Sequence, residues 1–306
     1  MVEANPEEND NDNLLSGLDR GDLSSGVYEG GFKTWECAID LASLVADIDL
    51  DADLHVIELG AGSAIPSLAI LRRALQTATT GSTPRHIHFT LCDYNDDVLR
   101  LATAPNVFLT AYEALKGDSN EAIVSYDDDQ PPKELDLEDI DQDMIHHVFD
   151  KLAERRITFD FISGAWGQPF LQLLDTPPPQ TRANSSSNNN NTENPPQTLI
   201  LASETIYSPD STRVFTDVLM HLLRAHPPHS ESRIRTSTGE ANSNRSKAWV
   251  ASKKIYFGVG GGADDFARNV AEQAGGGSGG GGGKITTVLD VKDAGVGRVV
   301  LEVTAP

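Results

Sequence analysis

Short apolar runs alternate along this chain with longer stretches in which apolar residues recur every three or four positions. Val-Ile-Glu-Leu at 56–59 is such a run and predicts a strand covered on both faces, which needs no polar alternation. Gly60 and Gly62 follow, and 65–75 then predicts a helix with Pro66 in its tolerated first turn. Further strands are predicted over 87–92, 159–162, 199–202 and 248–253, and further helices over 96–102, 105–116, 209–224 and 263–274. Residues 36–48 predict an amphipathic helix ahead of the first strand, with Ile39, Leu41, Leu44, Val45 and Ile48 as its apolar stripe. Val107, Phe108 and Tyr112 are the expected buried side of 105–116. Two last runs, 285–289 and 298–303, flank a glycine-containing turn and predict a closing hairpin. The pattern is α/β: a seven-stranded doubly wound sheet with helices on both faces and its last strand antiparallel.

Polar stretches interrupt this pattern. Residues 1–22 are expected to be a disordered acidic segment and 77–85 a surface insertion. One domain over 23–306 is expected, with flexible insertions near 117–145, 176–197, 226–246 and 275–283; the second is rich in Pro, Asn and Ser, the last almost all Gly. The net charge is −22, of which residues 1–22 supply −6 and residues 113–143 supply −10. Such segments read as solvated and poorly ordered, or alternatively as steering a basic protein partner. Direct nucleic-acid binding is not expected, because it needs Lys and Arg to neutralise phosphates. No run of 18 apolar residues exists to span a membrane. The N-terminus has no apolar or basic leader pattern. Two cysteines, Cys37 and Cys92, make no disulfide framework, and adjacent His146 and His147 do not share a helix face. Reduced thiols, an intracellular setting, no metal and a monomer are expected.

The turn after the first strand carries the chemistry. A dinucleotide fingerprint needs a third Gly or Ala where this chain has Ile65. Glu58, inside the motif, suits a cationic group better than a phosphate; the amino group of S-adenosylmethionine is such a group. The second strand ends in Asp93-Tyr94-Asn95, an acid where a ribose diol is held. Asp93 reads alternatively as a cap for the helix at 96–102.

Gly26-Val-Tyr-Glu-Gly-Gly-Phe-Lys-Thr-Trp-Glu-Cys37 resembles the leading segment of the protein-histidine methyltransferases that modify a large-subunit ribosomal protein. Asp93-Tyr-Asn95, Ser163-Gly-Ala-Trp166, Ser203-Glu-Thr-Ile-Tyr207 and Ala251-Ser-Lys-Lys-Ile-Tyr-Phe-Gly-Val-Gly-Gly-Gly262 resemble that family's later motifs, in order. The glycine turn departs from the commoner Gly-x-Gly-x-Gly form, having Ala64 last. The resemblance implies a Rossmann-like methyltransferase sheet, S-adenosylmethionine as cofactor and a ribosomal protein histidine as acceptor. It implies a cytoplasmic and nuclear protein. It implies cofactor contacts at Thr34, Trp35, Glu36, Cys37, Ala38, Gly60, Asp93, Tyr94, Asn95, Gly164, Ala165, Trp166 and Ser203; Glu58 and Gly62 join them from the turn itself.

Glu204 and Tyr207 follow the fourth strand, where Glu204 can orient a substrate ring and Tyr207 can wall the site. A neutral imidazole needs tautomer control rather than a strong base. Glu204-x-x-Tyr207 also resembles the acid-x-x-Tyr signature of lysine methyltransferases, so a lysine acceptor stays open. A catalytically inactive cofactor-binding protein and a nicotinamide oxidoreductase are the other readings. Trp166 suits adenine contact or the core, Trp35 a lid or an anchor, and Cys37 reads as a small buried residue. Tyr256 and Phe257 are expected to wall the substrate side, and Gly258–Gly262 to let a substrate backbone approach.

Overall fold

Leu54–Leu59 is buried at every position, because helices cover this strand on both faces. The computed structural model describes residues 31–77, 85–116, 140–174, 196–225, 234–235, 241–242, 246–258, 260–275, 283–292 and 295–305. The acidic segment 1–22, residues 26–30 of the leading motif and nearly all of the four expected insertions lie outside these residues.

Strands β1 (Leu54–Leu59), β2 (Ile87–Asp93), β3 (Ile157–Ser163), β4 (Gln197–Ser203), β5 (Ser246–Lys253), β6 (Lys284–Val291) and β7 (Arg298–Thr304) form one sheet, ordered β3-β2-β1-β4-β5-β7-β6. Pairing is parallel from β3 to β5, and β7 runs antiparallel to both β5 and β6. A separate two-residue ribbon pairs Ile234–Arg235 with Ala241–Asn242.

Strand periodicity divides the core into two layers. Val56, Phe89, Leu91, Leu199, Leu201 and Trp249 face α1 (Glu36–Val45), α2 (Ile65–Gln76), α3 (Ala104–Lys116) and α4 (Gln142–Glu154). Ile57, Leu59, Cys92, Ile200, Ala202 and Val250 face α5 (Gln168–Leu174), α6 (Pro209–Ala225) and α7 (Ala263–Gly275).

Several boundaries differ from expectation. Helix α1 ends at Val45, and its buried stripe is Cys37, Ala38, Leu41 and Val45; Ile39 points to solvent, and Ile48 reaches the core from the following turn. The two helices expected at 96–102 and 105–116 are continuous through a π-helical stretch, Leu99–Thr103, immediately before Pro105. A wider turn there accommodates a residue that lacks an N–H. Val107, Ala111 and Leu115 are the buried face, with Phe108 and Tyr112 partly covered. The insertion expected to reach 145 gives way at Gln142 to α4, because Asp141 caps it by accepting from the Met144 N–H at 2.7 Å. Helix α5 was not predicted; only Phe170, Leu171 and Leu174 signal it. Strand β3 begins two residues earlier than the run at 159–162 and, as an edge strand, is half exposed.

Candidate functional site

Strand β1 sits between β2 and β4, where successive strands switch from one side to the other. In open α/β sheets this switch point, beyond the carboxyl ends of β1 and β4, is where the ligand crevice lies. Gly60 (φ +71°) and Gly62 (φ +53°) make the turn after β1 in the left-handed region open to glycine. A Cβ on Gly60 would stand 2.8 Å from Thr205 Cγ2, so this turn packs directly on the loop after β4.

Asp93 holds the turn from the side. Its Oδ2 accepts from the Gly62 N–H at 3.0 Å, and its Oδ1 from the Asn95 N–H at 3.1 Å. The following helix is capped by Asn95, whose Oδ1 accepts from the Asp97 N–H at 3.0 Å. The capping alternative for Asp93 is thereby corrected. The Gly164 N–H donates to the Asp93 carbonyl at 3.0 Å and brings the loop after β3 to the same point. Thr103 Oγ1 donates to the Gly62 carbonyl at 2.6 Å, and Asn106 Nδ2 to that of Ser63 at 3.1 Å. Thr34 Oγ1 lies 2.9 Å from Ser63 Oγ, so the leading segment closes onto the glycine turn.

Glu58 is fully buried beneath this turn. Its Oε2 accepts from the Ser67 N–H at 3.1 Å and from the Ser67 hydroxyl, bracing the start of α2. Burial pushes its carboxyl up to about 7; the two Ser67 bonds oppose the rise, and the Asp93 charge adds to it.

A second cluster stands after β4. Glu204 adopts φ +57°, a strained backbone for a residue with a side chain. The Tyr256 hydroxyl donates to Glu204 Oε2. Glu204 Oε1 lies 3.7 Å from Lys253 Nζ, which is also 3.7 Å from Glu36 Oε2. The same ammonium stands 4.7 Å from the centre of the Trp35 ring, and Lys33 Nζ stands 4.6 Å from it. Burial, then the Glu204 charge, pushes the Cys37 thiol and the Tyr256 phenol far above their ordinary ranges, so both keep their protons. Cys37 is a small buried residue beside Glu204. Gly261 seals the loop after β5 against Tyr207: its N–H donates to the Tyr207 carbonyl at 3.1 Å, and a Cβ there would overlap that carbonyl.

The remaining candidates divide. Ala38 is buried, Ser203 and Tyr207 are partly buried, and Tyr94 and Ala165 are exposed. Trp166 packs its ring 5.3 Å from Phe215 at the edge of the lower core layer. Tyr256 turns inward to Glu204 while Phe257 faces solvent, so the pair expected to wall one side is split. Lys253, Ser67, Thr103, Asn106 and Thr205 were not singled out from the sequence. Lys253 and Thr205 lay within quoted motifs; the others carry no signal apart from three-dimensional contact. A cavity of about 480 Å³ lined by Gln168, Leu171, Asp217, His221, Arg224, Ala225 and Gln273 lies elsewhere, and none of the site residues lines it. Among the described residues no group of side chains is arranged to hold a metal.

Three buried side-chain oxygens among the described residues lack a hydrogen-bond partner: Glu58 Oε1, Glu204 Oε1 and Thr205 Oγ1. All three stand at or just beyond the carboxyl ends of β1 and β4, and buried oxygens without partners are costly unless a ligand supplies a donor. Unpaired acceptors at this point suit a ligand with a cationic amino-acid end, with Glu58 acting from beneath the turn rather than from its surface.

Comparison with known proteins agrees. The chain is 30% identical over 274 residues to histidine protein methyltransferase 1 of Saccharomyces cerevisiae, covering 87% of this chain and 64% of that protein. It is 30% identical over 262 residues to the protein of the same name from Schizosaccharomyces pombe, covering 84% and 61%. A Rattus norvegicus homologue matches at 30% over 284 residues, covering 92% and 59%. The chain is homologous to the histidine protein methyltransferases. It spans about six-tenths of the length of these relatives. No family model matches. Among solved structures, a ribosomal RNA methyltransferase from Streptomyces viridochromogenes aligns over 93% of this chain and 91% of that one, at 12% identity and a TM-score of 0.39. A likeness that low carries no argument; the methyltransferase fold rests here on strand order and register. Homology to methyltransferases implies S-adenosylmethionine as the methyl donor. Ile65, where a dinucleotide turn needs a small residue, opposes the nicotinamide alternative.

Proposed function

We propose that this chain is an S-adenosylmethionine-dependent protein-histidine N-methyltransferase whose substrate is a basic protein, namely a large-subunit ribosomal protein, met in the cytoplasm and nucleus. The observation that carries this reading is Glu204 Oε1, a buried carboxylate oxygen without a hydrogen bond at the end of β4. It accepts the N–H of a neutral imidazole and leaves the other ring nitrogen unprotonated and nucleophilic.

When bound, S-adenosylmethionine would supply an electrophilic methyl group, the acceptor nitrogen's lone pair forming the N–C bond as the C–S bond breaks towards sulfur. Asp93 and the Gly60–Gly62 turn would hold the ribose side, with Glu58 beneath the turn on the amino-acid side. Tyr256 fixes the Glu204 carboxylate, and Thr34 with Trp35 closes the leading segment over the crevice and excludes water. The acceptor ring sheds its remaining N–H proton to water. The chain's −22 charge supports a basic partner by accelerating encounter at low salt.

The test is incubation of the full chain with labelled S-adenosylmethionine and large-subunit ribosomal proteins, followed by mapping of the label. Label on a histidine is expected, with a rate that falls as pH drops through about 6.5, the ordinary imidazole range. Label confined to lysine would replace the reading with the lysine alternative, and cofactor binding without transfer to any protein would favour the inactive one.

A further inference from the structure

Lys253, at the end of β5, has no role in the function proposed above. Its ammonium lies 3.7 Å from Glu204 Oε1 and 3.7 Å from Glu36 Oε2. It stands 4.7 Å from the Trp35 ring centre and 6.0 Å from that of Tyr256. Only 20% of the side chain is exposed. Two carboxylates and two aromatic faces are the composition of a site for an alkylammonium. Here the chain's own ammonium occupies it.

We propose that Lys253 is a specificity-determining residue: by filling this cage it bars alkylammonium acceptors from Glu204 and leaves the carboxylate to a neutral imidazole. The inference rests on the proposed function and names the group that selects its acceptor.

Charge supports this. Glu36 already feels Lys253, Arg298 and Lys33, and Glu204 lies beside Lys253. Arg298 is also paired with Asp40, with its Nε 2.6 Å from Oδ2. A lysine acceptor would bring a third ammonium into a partly water-excluded space beside Lys253, where like-charge repulsion is strong. It must also lose a proton before it can attack, and Lys253 engages the nearest carboxylate. A neutral imidazole adds no charge and offers an N–H to Glu204 Oε1. Position favours the role as well: the Lys253 N–H donates to the Tyr256 hydroxyl at 3.3 Å, so main chain and side chain grip the same Glu204–Tyr256 pair.

The test uses the full chain saturated with S-adenosylhomocysteine and two small probes, n-butylammonium and imidazole, with affinities read from amide chemical shifts. Lys253→Met and Lys253→Gln should each bind butylammonium at least about tenfold tighter than the parent, while imidazole binding moves by less than about threefold. Lys253→Arg keeps the cation and should behave as the parent. A purely structural role would weaken both probes together. Butylammonium binding that is unchanged in both neutral variants, or tightened equally by Lys253→Arg, overturns the proposal. Because no turnover is measured, this outcome is separate from failure of the histidine reading, which labelling of ribosomal proteins decides. Where turnover is found, the neutral variants should also raise methylation of a lysine-substituted acceptor relative to the histidine parent.

Discussion

The Tyr256 hydroxyl donates a hydrogen bond to Glu204 Oε2 and joins two loops separated by 52 residues. Glu204 follows β4 with a left-handed backbone, and Tyr256 follows β5. Neighbouring parallel strands put their carboxyl ends side by side, so a carboxylate after one meets a phenol after the next. Burial, then the Glu204 charge, raises the phenol's pKa, so Tyr256 is the proton donor of the pair near neutral pH.

Removing the partners should separate positioning from binding. Glu204→Ala should lower kcat by roughly 10²-fold or more, the scale of a lost acid–base or orienting group. Tyr256→Phe should lower it less, about tenfold, because the carboxylate stays but loses its brace. Calorimetry should find cofactor affinity within about threefold of the parent in both. Equal losses in kcat and cofactor affinity would place Glu204 on the cofactor instead.

Asp93→Ala should weaken S-adenosylmethionine by about 1.5–3 kcal/mol, the range for hydrogen bonds to a charged group. The substitution also frees the Gly62 N–H that Asp93 now holds. Since Asn95 caps the following helix, thermal stability should fall little by loss of a cap. An unchanged dissociation constant in a folded variant would leave Asp93 a bracing role alone.

Glu58 makes the cofactor-free protein sensitive to pH. Its carboxyl stands at about 7 in the fold against an ordinary 4.5. The folded state therefore holds the proton more tightly than the unfolded chain, and this group's contribution to stability falls as pH rises from about 4.5 to about 7. Glu58→Gln should match the parent near pH 4 and exceed it by up to about 3 kcal/mol at pH 8, measured by urea unfolding. A variant less stable at both pH values would show that the ionised carboxylate helps hold the turn.

Gly261→Ala should damage the site from outside it. A Cβ at Gly261 meets the Tyr207 carbonyl with no space to shift, because the two loops share a backbone hydrogen bond. The loop after β4 should be displaced, with stability falling by about 1–3 kcal/mol, the usual cost of overpacking. Gly295→Ala is the control, since nothing lies within 4 Å of a Cβ there. Equal melting temperatures for the two variants would refute the close approach.

The strands and the first turn were legible because each rests on local pattern. Val56–Leu59 is apolar throughout, as a strand buried on both faces requires, and glycines stand where the backbone turns left-handed. Sequence order alone also indicated Asp93 as an acid beyond the second strand. It did not indicate that Asn95 is the cap, since both residues suit that place and Asp93 is turned instead to the Gly62 N–H, 31 residues away. The leading helix was legible as amphipathic, but whether Ile39 faced in or out depended on where the sheet lay. Helix α4 was hidden because acidic composition masks a stripe of two buried residues, Val148 and Leu152.

The site divides along the same line. Glu58, Gly60, Gly62, Asp93 and Glu204 are visible from the sequence because each stands within a few residues of a predicted strand end. Lys253, Tyr256 and Trp35 become one cluster only when β4 and β5 lie side by side and α1 packs across them. Local residues set the propensity for strand, turn and helix, while electrostatic partnership depends on distance in space. Which carboxylate Lys253 meets is therefore decided by tertiary structure, since an attraction that acts over a few ångströms is set by the packing that brings the charges together.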